Sequence, residues 1–355
     1  MTLHVDVDQD LYHTSYIYTG LFTLEKQRKI SLQLCYPKPG DWRKAEPLEI
    51  LVHVDVADPQ SGSAMPVCFE VHDKSYLFYE RALSSSAVYF KRSYFQRDVD
   101  RLPPVLAAKV VPFGINYACT DRLSYPAVAR GIRQAITRPS GPAVLRGKYT
   151  ASLARKLIEY VRLPRPSVFE FSPASPKEPV VLFQTRLWKQ HELVGESAEV
   201  VNQERAALVR ALKREFGSRF VGGLLPGPVA SRDYPDLLAQ AHPCSYLRLT
   251  RRSLIGVYSR GLHQSTAWKL GEYFAASMCV VAEPIQNQLV PPLEAERHFL
   301  PFSTPEECVA ACARILGDPG LQQTMRSAAY RYYTAHVEPA AHLLRCLRQV
   351  EEINR

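Results

Sequence analysis

The sequence has no uninterrupted stretch of about 20 apolar residues, the length a helix needs to cross a bilayer. Its start, MTLHVDVDQD, has no basic segment leading into an apolar core, so it does not read as a secretory signal. Cysteines stand at 35, 68, 119, 244, 279, 308, 312 and 346 and form no C-x-x-C pair. Without zinc-ligand spacing or an export signal they read as free buried thiols, not as metal ligands or a disulfide framework. No serine-nucleophile elbow is present, and Gly222-Gly223 is not a dinucleotide fingerprint. No repeat of solenoid period is visible. A spanning membrane protein, a stapled mini-domain and a serine hydrolase are thus all disfavoured.

What is present is an ordinary globular composition over 355 residues. At roughly 150 residues per domain this suggests two domains, each large enough to bury its own core. The net charge of +9 is concentrated. Between 122 and 165 stand Arg122, Arg130, Arg133, Arg138, Arg146, Lys148, Arg155, Lys156, Arg162 and Arg165, against Glu159 alone. Such a stretch fits an acidic partner (nucleic acid, anionic lipid head groups or phosphorylated glycans) or a solvated helix and linker.

Short apolar runs alternate with helical periodicity throughout. Leu3–Val7, Ile30–Cys35, Ile50–Val56, Val88–Phe90 and Lys109–Phe113 read as strands in the first half, with a helix over Leu11–Lys26. Val180–Gln184, Phe220–Leu224, Ser253–Ser259 and Cys279–Ala282 read as strands in the second, with helices over Glu199–Phe216, Ala267–Ser277, Pro305–Leu316 and most of Leu321–Val350. Strands with no polar alternation belong in parallel sheets covered on both faces. Breaks fall at 138–142 and at the proline-rich 163–179. The expected organisation is a Rossmann-like domain over 1–165, a linker over 166–179, a second such domain over 180–335, and a closing helix over 336–355 that packs back on the first domain. Ligands in such folds bind at the carboxyl ends of the strands.

The segment richest in chemistry is Ile255–Pro284, IGVYSRGLHQSTAWKLGEYFAASMCVVAEP. A buried strand ends at Ser259, the loop Arg260–Thr266 follows, and Ser265 or Thr266 is placed to cap the next helix. Leu270, Phe274 and Met278 form its apolar stripe, while Lys269 and Glu272 share a polar face. A base ahead of an acid opposes the helix dipole, which makes sense if an anion docks beside the lysine.

The run KLGEYFAASMCVVAEP resembles the nucleotide-sugar half of group-1 GT-B glycosyltransferases. The resemblance covers roughly 180–335 and implies a GT-B fold, with two Rossmann-like domains whose parallel sheets face a cleft. It implies that Glu272 holds the donor ribose hydroxyls. The family's first motif Glu falls here at Gln264, a departure that puts a retaining mechanism in question. VVLFQTRLWKQ resembles the first strand of the family's second domain, which places Arg186 and Lys189 on the donor phosphates. By the same resemblance the loop residues Arg260, Ser265 and Thr266 border the donor, and Gln264, Arg186 and Lys269 carry the chemistry.

An acceptor base is sought at Asp55 or His53, on the 50–56 strand, with Asp58 just beyond. The alternating Asp6, Asp8 and Asp10 are read as solvated acids, so no metal is expected, and no cofactor. The leading expectation is a cytoplasmic transferase, peripheral at the inner face of a membrane through 122–165. Its partners would be a nucleotide-sugar donor and a glycan or lipid-linked saccharide acceptor of the cell-surface polysaccharide or lipopolysaccharide type, with no specific nucleic acid. The alternatives are a non-catalytic polyanion-binding protein and a GT-B nucleotide-sugar epimerase.

Overall fold

The computed structural model describes residues 1–37, 50–57, 63–137, 143–193, 195, 197–239 and 243–353, with the side chains of 143–146 and 243–245 excepted. Asp58, Arg138, the break at 138–142 and the side chain of Arg146 fall outside this set. The chain divides into two compact units. Unit 1 comprises 1–166, 288–290 and 336–355; unit 2 comprises 167–287 and 291–335.

Unit 1 contains strands β1 (Thr2–His4), β2 (Gln33–Cys35), β3 (Leu51–Ala57), β4 (Ala64–Glu70), β5 (Val88–Lys91) and β6 (Val110–Pro112). They form one sheet in the order β2-β1-β3-β4-β5-β6. Neighbours are parallel except that β3 runs antiparallel to both β1 and β4. The sheet is thus parallel-dominated, as expected, with β3 as its one antiparallel strand. β4 carries Pro66, which removes a ladder donor and hides the strand from a pattern search. Phe69 stacks on Phe90 with centroids 4.9 Å apart, and Phe113 meets both edge-on, so three aromatics unite the last strands.

Helix Leu11–Lys26 begins where Asp10 accepts hydrogen bonds from the backbone of Tyr12 and His13. It packs on the closing helix Pro339–Ile353 through Gly20, where an added Cβ would lie 2.5 Å from the carbonyl of Pro339. His342 stacks on Phe113 at 4.4 Å and meets its carbonyl through Nε2. Burial pushes this imidazole down to about 3, so it stays neutral. The acids near the start are structural. Asp6 accepts from the backbone of Asp8, Asp8 accepts from the Tyr149 hydroxyl, and Asp10 caps the helix.

Unit 2 contains β7 (Glu178–Thr185), β8 (Phe220–Leu224), β9 (Ser253–Tyr258), β10 (Cys279–Ala282) and β11 (Leu300–Pro301). Their order is β11-β10-β9-β7-β8 and every pairing is parallel. Val181, Leu182, Ile255, Val280 and Val281 are fully buried, as a sheet covered on both faces requires. Helices Ala198–Phe216 and Pro305–Gly317 pack with one face of this core through Leu208, Leu212, Cys308 and Cys312. Gly256 lies under the Tyr273 ring, which an added Cβ would approach to 2.7 Å, so the helix over Lys269–Ala275 can lie directly on β9. Both units are α/β, the expected class. Residues 170–175 are tied into unit 2, by a hydrogen bond from Phe171 to Ala275 and by Arg326 on the carbonyls of Ser172 and Ser175. Of the cysteines, 68, 119, 279, 308, 312 and 346 are buried free thiols and Cys35 is partly exposed.

Candidate functional site

The carboxyl ends of β7 and β9 carry most of the residues that the sequence singles out. β7 ends in Gln184 and Thr185, both buried, and the chain leaves the sheet at the exposed Arg186. The Arg186 guanidinium lies 3.7 Å over the Trp188 ring, which holds it at the rim by a cation–π contact. Lys189 is exposed, and its backbone N–H donates to Glu192 in a short helical turn.

Lys269 and Glu272 stand at the start of a helix that runs only over Lys269–Ala275. The expected helix over Ala267–Ser277 is thus too long. Trp268 occupies the capping position and its side chain does not cap the helix. Ser265 and Thr266 do not cap it, a further correction. Ser265 is buried where the 261–265 loop closes on itself, and Thr266 donates to Asn287.

The Lys269 ammonium donates to the Gln184 carbonyl and lies 5.5 Å over the Tyr246 ring. Burial pushes it down to about 8, against the pull of Glu272 and with the push of Arg205. Glu272 accepts from the Tyr246 hydroxyl. Burial pushes its carboxyl up, opposed by that bond and by Lys269. Beside them the Gln184 amide nitrogen has no hydrogen-bond partner among the described residues, although the side chain is 3% exposed. The Lys269 ammonium and the Glu272 carboxyl, both shifted by burial, thus stand by the Gln184 main chain, while the Gln184 side chain carries a buried donor of a kind that is normally satisfied.

Gln264 and Arg260 line a pocket of about 680 Å³ with Glu204, Glu283, Gln286 and Ser303. Gln264 sits in the left-handed region at φ 61°. Arg260 is held at 2.7 Å from Glu204 and 3.1 Å from Glu283. Two carboxylates already pair with it, so any contact with a donor would share its charge with Glu204 and Glu283. Arg205 links this pocket to the Lys269 side, since it donates to the carbonyls of Arg186 and Arg260 and its charge is felt by Lys269.

Sequence reading missed Arg205. It is buried on the Ala198–Phe216 helix and donates to the carbonyls of Arg186 and Arg260, tying both rim loops to one side chain. Its only signal was a charge on the helix's apolar face. Tyr246 was also missed, because it lies on a separate helix, Pro243–Arg252.

The expected acceptor bases are placed differently. Asp55 pairs with Thr2 and Pro66, near the amino ends of β1 and β4, because β3 runs against its neighbours. It meets His4 at 2.6 Å. His53 is buried within the same strand. The antiparallel direction takes Asp55 away from the edge where ligands of parallel sheets bind.

Residues 203–346 match the family model described as glycosyl transferase-like. That segment holds Lys269, Glu272, Arg260 and Gln264, and the resemblance read from the sequence extends over it. No curated protein matches the chain. Among solved structures, TarM is 10% identical at a TM-score of 0.36, over 51% of this chain and 36% of its own. This chain thus spans about a third of TarM's length. A putative UDP-N-acetylglucosamine 2-epimerase from Listeria monocytogenes is 11% identical at 0.40, over 99% and 74%. The pneumococcal O-GlcNAc transferase GtfA, solved with UDP and GlcNAc, is 10% identical at 0.35, over 86% and 70%.

Proposed function

We propose that the chain is a glycosyltransferase that takes a sugar from a nucleotide-sugar donor and passes it to a glycan or lipid-linked saccharide of the cell surface. The observation that carries this reading is the polar set at the carboxyl ends of β7 and β9: the exposed Arg186, the buried Gln184 amide nitrogen without a partner among the described residues, and Lys269 beside Glu272. Glu272 accepts from the donor ribose hydroxyls, a carboxylate suited to charge-assisted bonds. Lys269 and Arg186 stabilise the diphosphate as it leaves, where charge develops in the transition state. Lys189 adds an exposed charge at the same rim, and Arg205 positions the Arg186 loop. No metal or cofactor is part of this scheme. Incubation with nucleotide-sugars and a saccharide acceptor tests it. Nucleoside diphosphate should be released together with glycosylated acceptor. Conversion of the donor alone into an epimer would replace this reading with an isomerase.

We also propose that the enzyme works at the cytoplasmic face of an anionic membrane. Helices Tyr125–Thr137 and Ala143–Val161 expose Arg133 and Arg155, with the exposed Arg162 and Arg165 just beyond, and the apolar Ile136, Ile158 and Val161 are exposed on the same two helices. Cations worth about 1 kcal/mol each near such a surface, combined with apolar side chains, give reversible attachment. Lys156 is excluded from this role because it donates to the carbonyls of Asp8 and Gln9. Flotation with phosphatidylglycerol vesicles at low salt should retain the protein, and Arg155→Glu with Arg162→Glu should release it. A wild-type protein that stays with the soluble fraction would mean a soluble acceptor.

A further inference from the structure

At the amino end of unit 2's sheet lies a pocket of about 720 Å³, within the size range of small-molecule sites. It is lined by Lys177, Arg248, Arg251 and Arg252, with Glu178 as the one carboxylate. Two distant stretches of chain supply these cations: the segment leading into β7, and the last turn of the Pro243–Arg252 helix. Glu178 is already engaged by Arg252. Among the described residues no carboxylate pairs with Lys177, Arg248 or Arg251, so three positive groups share one concavity without a counter-charge.

The arrangement is built and not merely solvated. Phe171 lies between Lys177 at 5.0 Å and Arg251 at 5.3 Å, so both cations rest on one aromatic ring. Lys177 donates to the carbonyls of Thr250 and Arg251 at 3.2 and 2.8 Å. That contact covers the carbonyl end of the helix, which would otherwise repel an anion. Burial, and then Arg326 and Arg251, push Lys177 down to about 7. Like charges gathered without a carboxylate raise each other's cost, and a bound anion removes that cost.

We propose that this pocket is a second anion site, which takes a ligand bearing at least two phosphoryl charges. Arg248 and Arg251, joined by Lys177 when an anion draws a proton onto it, set that charge, and the two arginines supply planar forks that suit phosphate oxygens. The site lies at the opposite end of the strands from Arg186 and Lys269, and it does not depend on the transferase reading. The ligand is either a free diphosphate-like anion or a phosphorylated lipid headgroup, which present the same chemistry.

Titration calorimetry of the full chain with inorganic pyrophosphate tests the proposal. The double variant Arg248→Ala/Arg251→Ala should weaken binding about tenfold or more, because each lost bond to a charged group is a substantial part of such an affinity. Lys269→Ala should leave this binding event in place, which separates it from any binding at the other edge. Both arginine side chains are exposed, so the melting temperature should not fall; if the double variant fails to fold, Arg248→Glu alone serves. A second arm uses phosphatidic-acid vesicles. Vesicle binding that the same variant abolishes, with no pyrophosphate binding, identifies a headgroup and upholds the site. If neither probe distinguishes the variant from wild type, the pocket is not an anion site.

Discussion

The carboxyl edges of the two sheets, each taken within its own unit, handle charge in opposite ways. In unit 1, Lys91 at the end of β5 is fully buried and paired with Glu70 at the end of β4. Its remaining protons go to the carbonyls of Lys74 and Leu77, and Glu70 also accepts from the backbone of His72. Arg92 engages Asp73 and Asn116. In unit 2, among the described residues, Lys269 has a carbonyl and a ring but no carboxylate bound to it, and the Gln184 amide nitrogen has no partner. Unit 1's edge pairs its buried lysine with a carboxylate. Unit 2's edge fixes its loops through Arg205 and Arg260 but holds Lys269 on a carbonyl and leaves one buried amide donor, that of Gln184, for a ligand.

The largest effect that would sharpen this contrast is in unit 1. Glu70→Ala leaves the Lys91 ammonium buried without a counter-charge, and the loss in stability should be about 3–5 kcal/mol by chemical denaturation. Lys269→Ala should lose far less, because no buried carboxylate bond is broken. Equal losses at the two positions would erase the distinction.

Next come effects on turnover. Arg186→Ala and Lys269→Ala should each lower the transfer rate about tenfold or more, since about 1.4 kcal/mol of barrier is tenfold. Arg186→Lys should recover only part of the loss, because a point charge replaces a planar fork and its stacking on Trp188. Wild-type rates in both alanine variants would move the chemistry away from this edge.

A smaller effect concerns pH. Lys269 is held at about 8, below the ordinary 10.5 of a lysine. Between those values the unfolded chain keeps the proton and the folded chain has released it, so this group makes stability rise with pH across that window. Catalysis should run the other way: kcat/KM reports the free enzyme and should fall above about pH 8 as the ammonium is lost. Lys269→Met should flatten the stability rise, and Lys269→Arg should move the fall in kcat/KM to higher pH. A wild-type profile that stays level to pH 10.5 would contradict a role for the ammonium.

Much of this arrangement was legible before any coordinates. Helix Leu11–Lys26 and strands Phe220–Leu224 and Cys279–Ala282 fall at their expected limits, because buried parallel strands and a capped helix leave strong local patterns. β4 was not legible, since Pro66 interrupts it and only pairing with β3 and β5 makes it a strand. The direction of β3 was equally hidden, and with it the placement of Asp55. In the site, the spacing of Lys269 and Glu272 was visible. Arg205, Tyr246 and the diversion of Arg260 to Glu204 and Glu283 were not, because each depends on side chains that meet only when distant segments fold together.

The central claim is that the Lys269–Glu272 edge holds a nucleotide donor. Titration calorimetry of a nucleoside diphosphate into wild type and into Glu272→Ala measures this most directly. Loss of a charge-assisted bond should cost about 1.5–3 kcal/mol, roughly ten- to a hundred-fold in affinity, with an unchanged melting temperature in the absence of ligand. Identical affinity in the two proteins would contradict the assignment of this edge as the donor site.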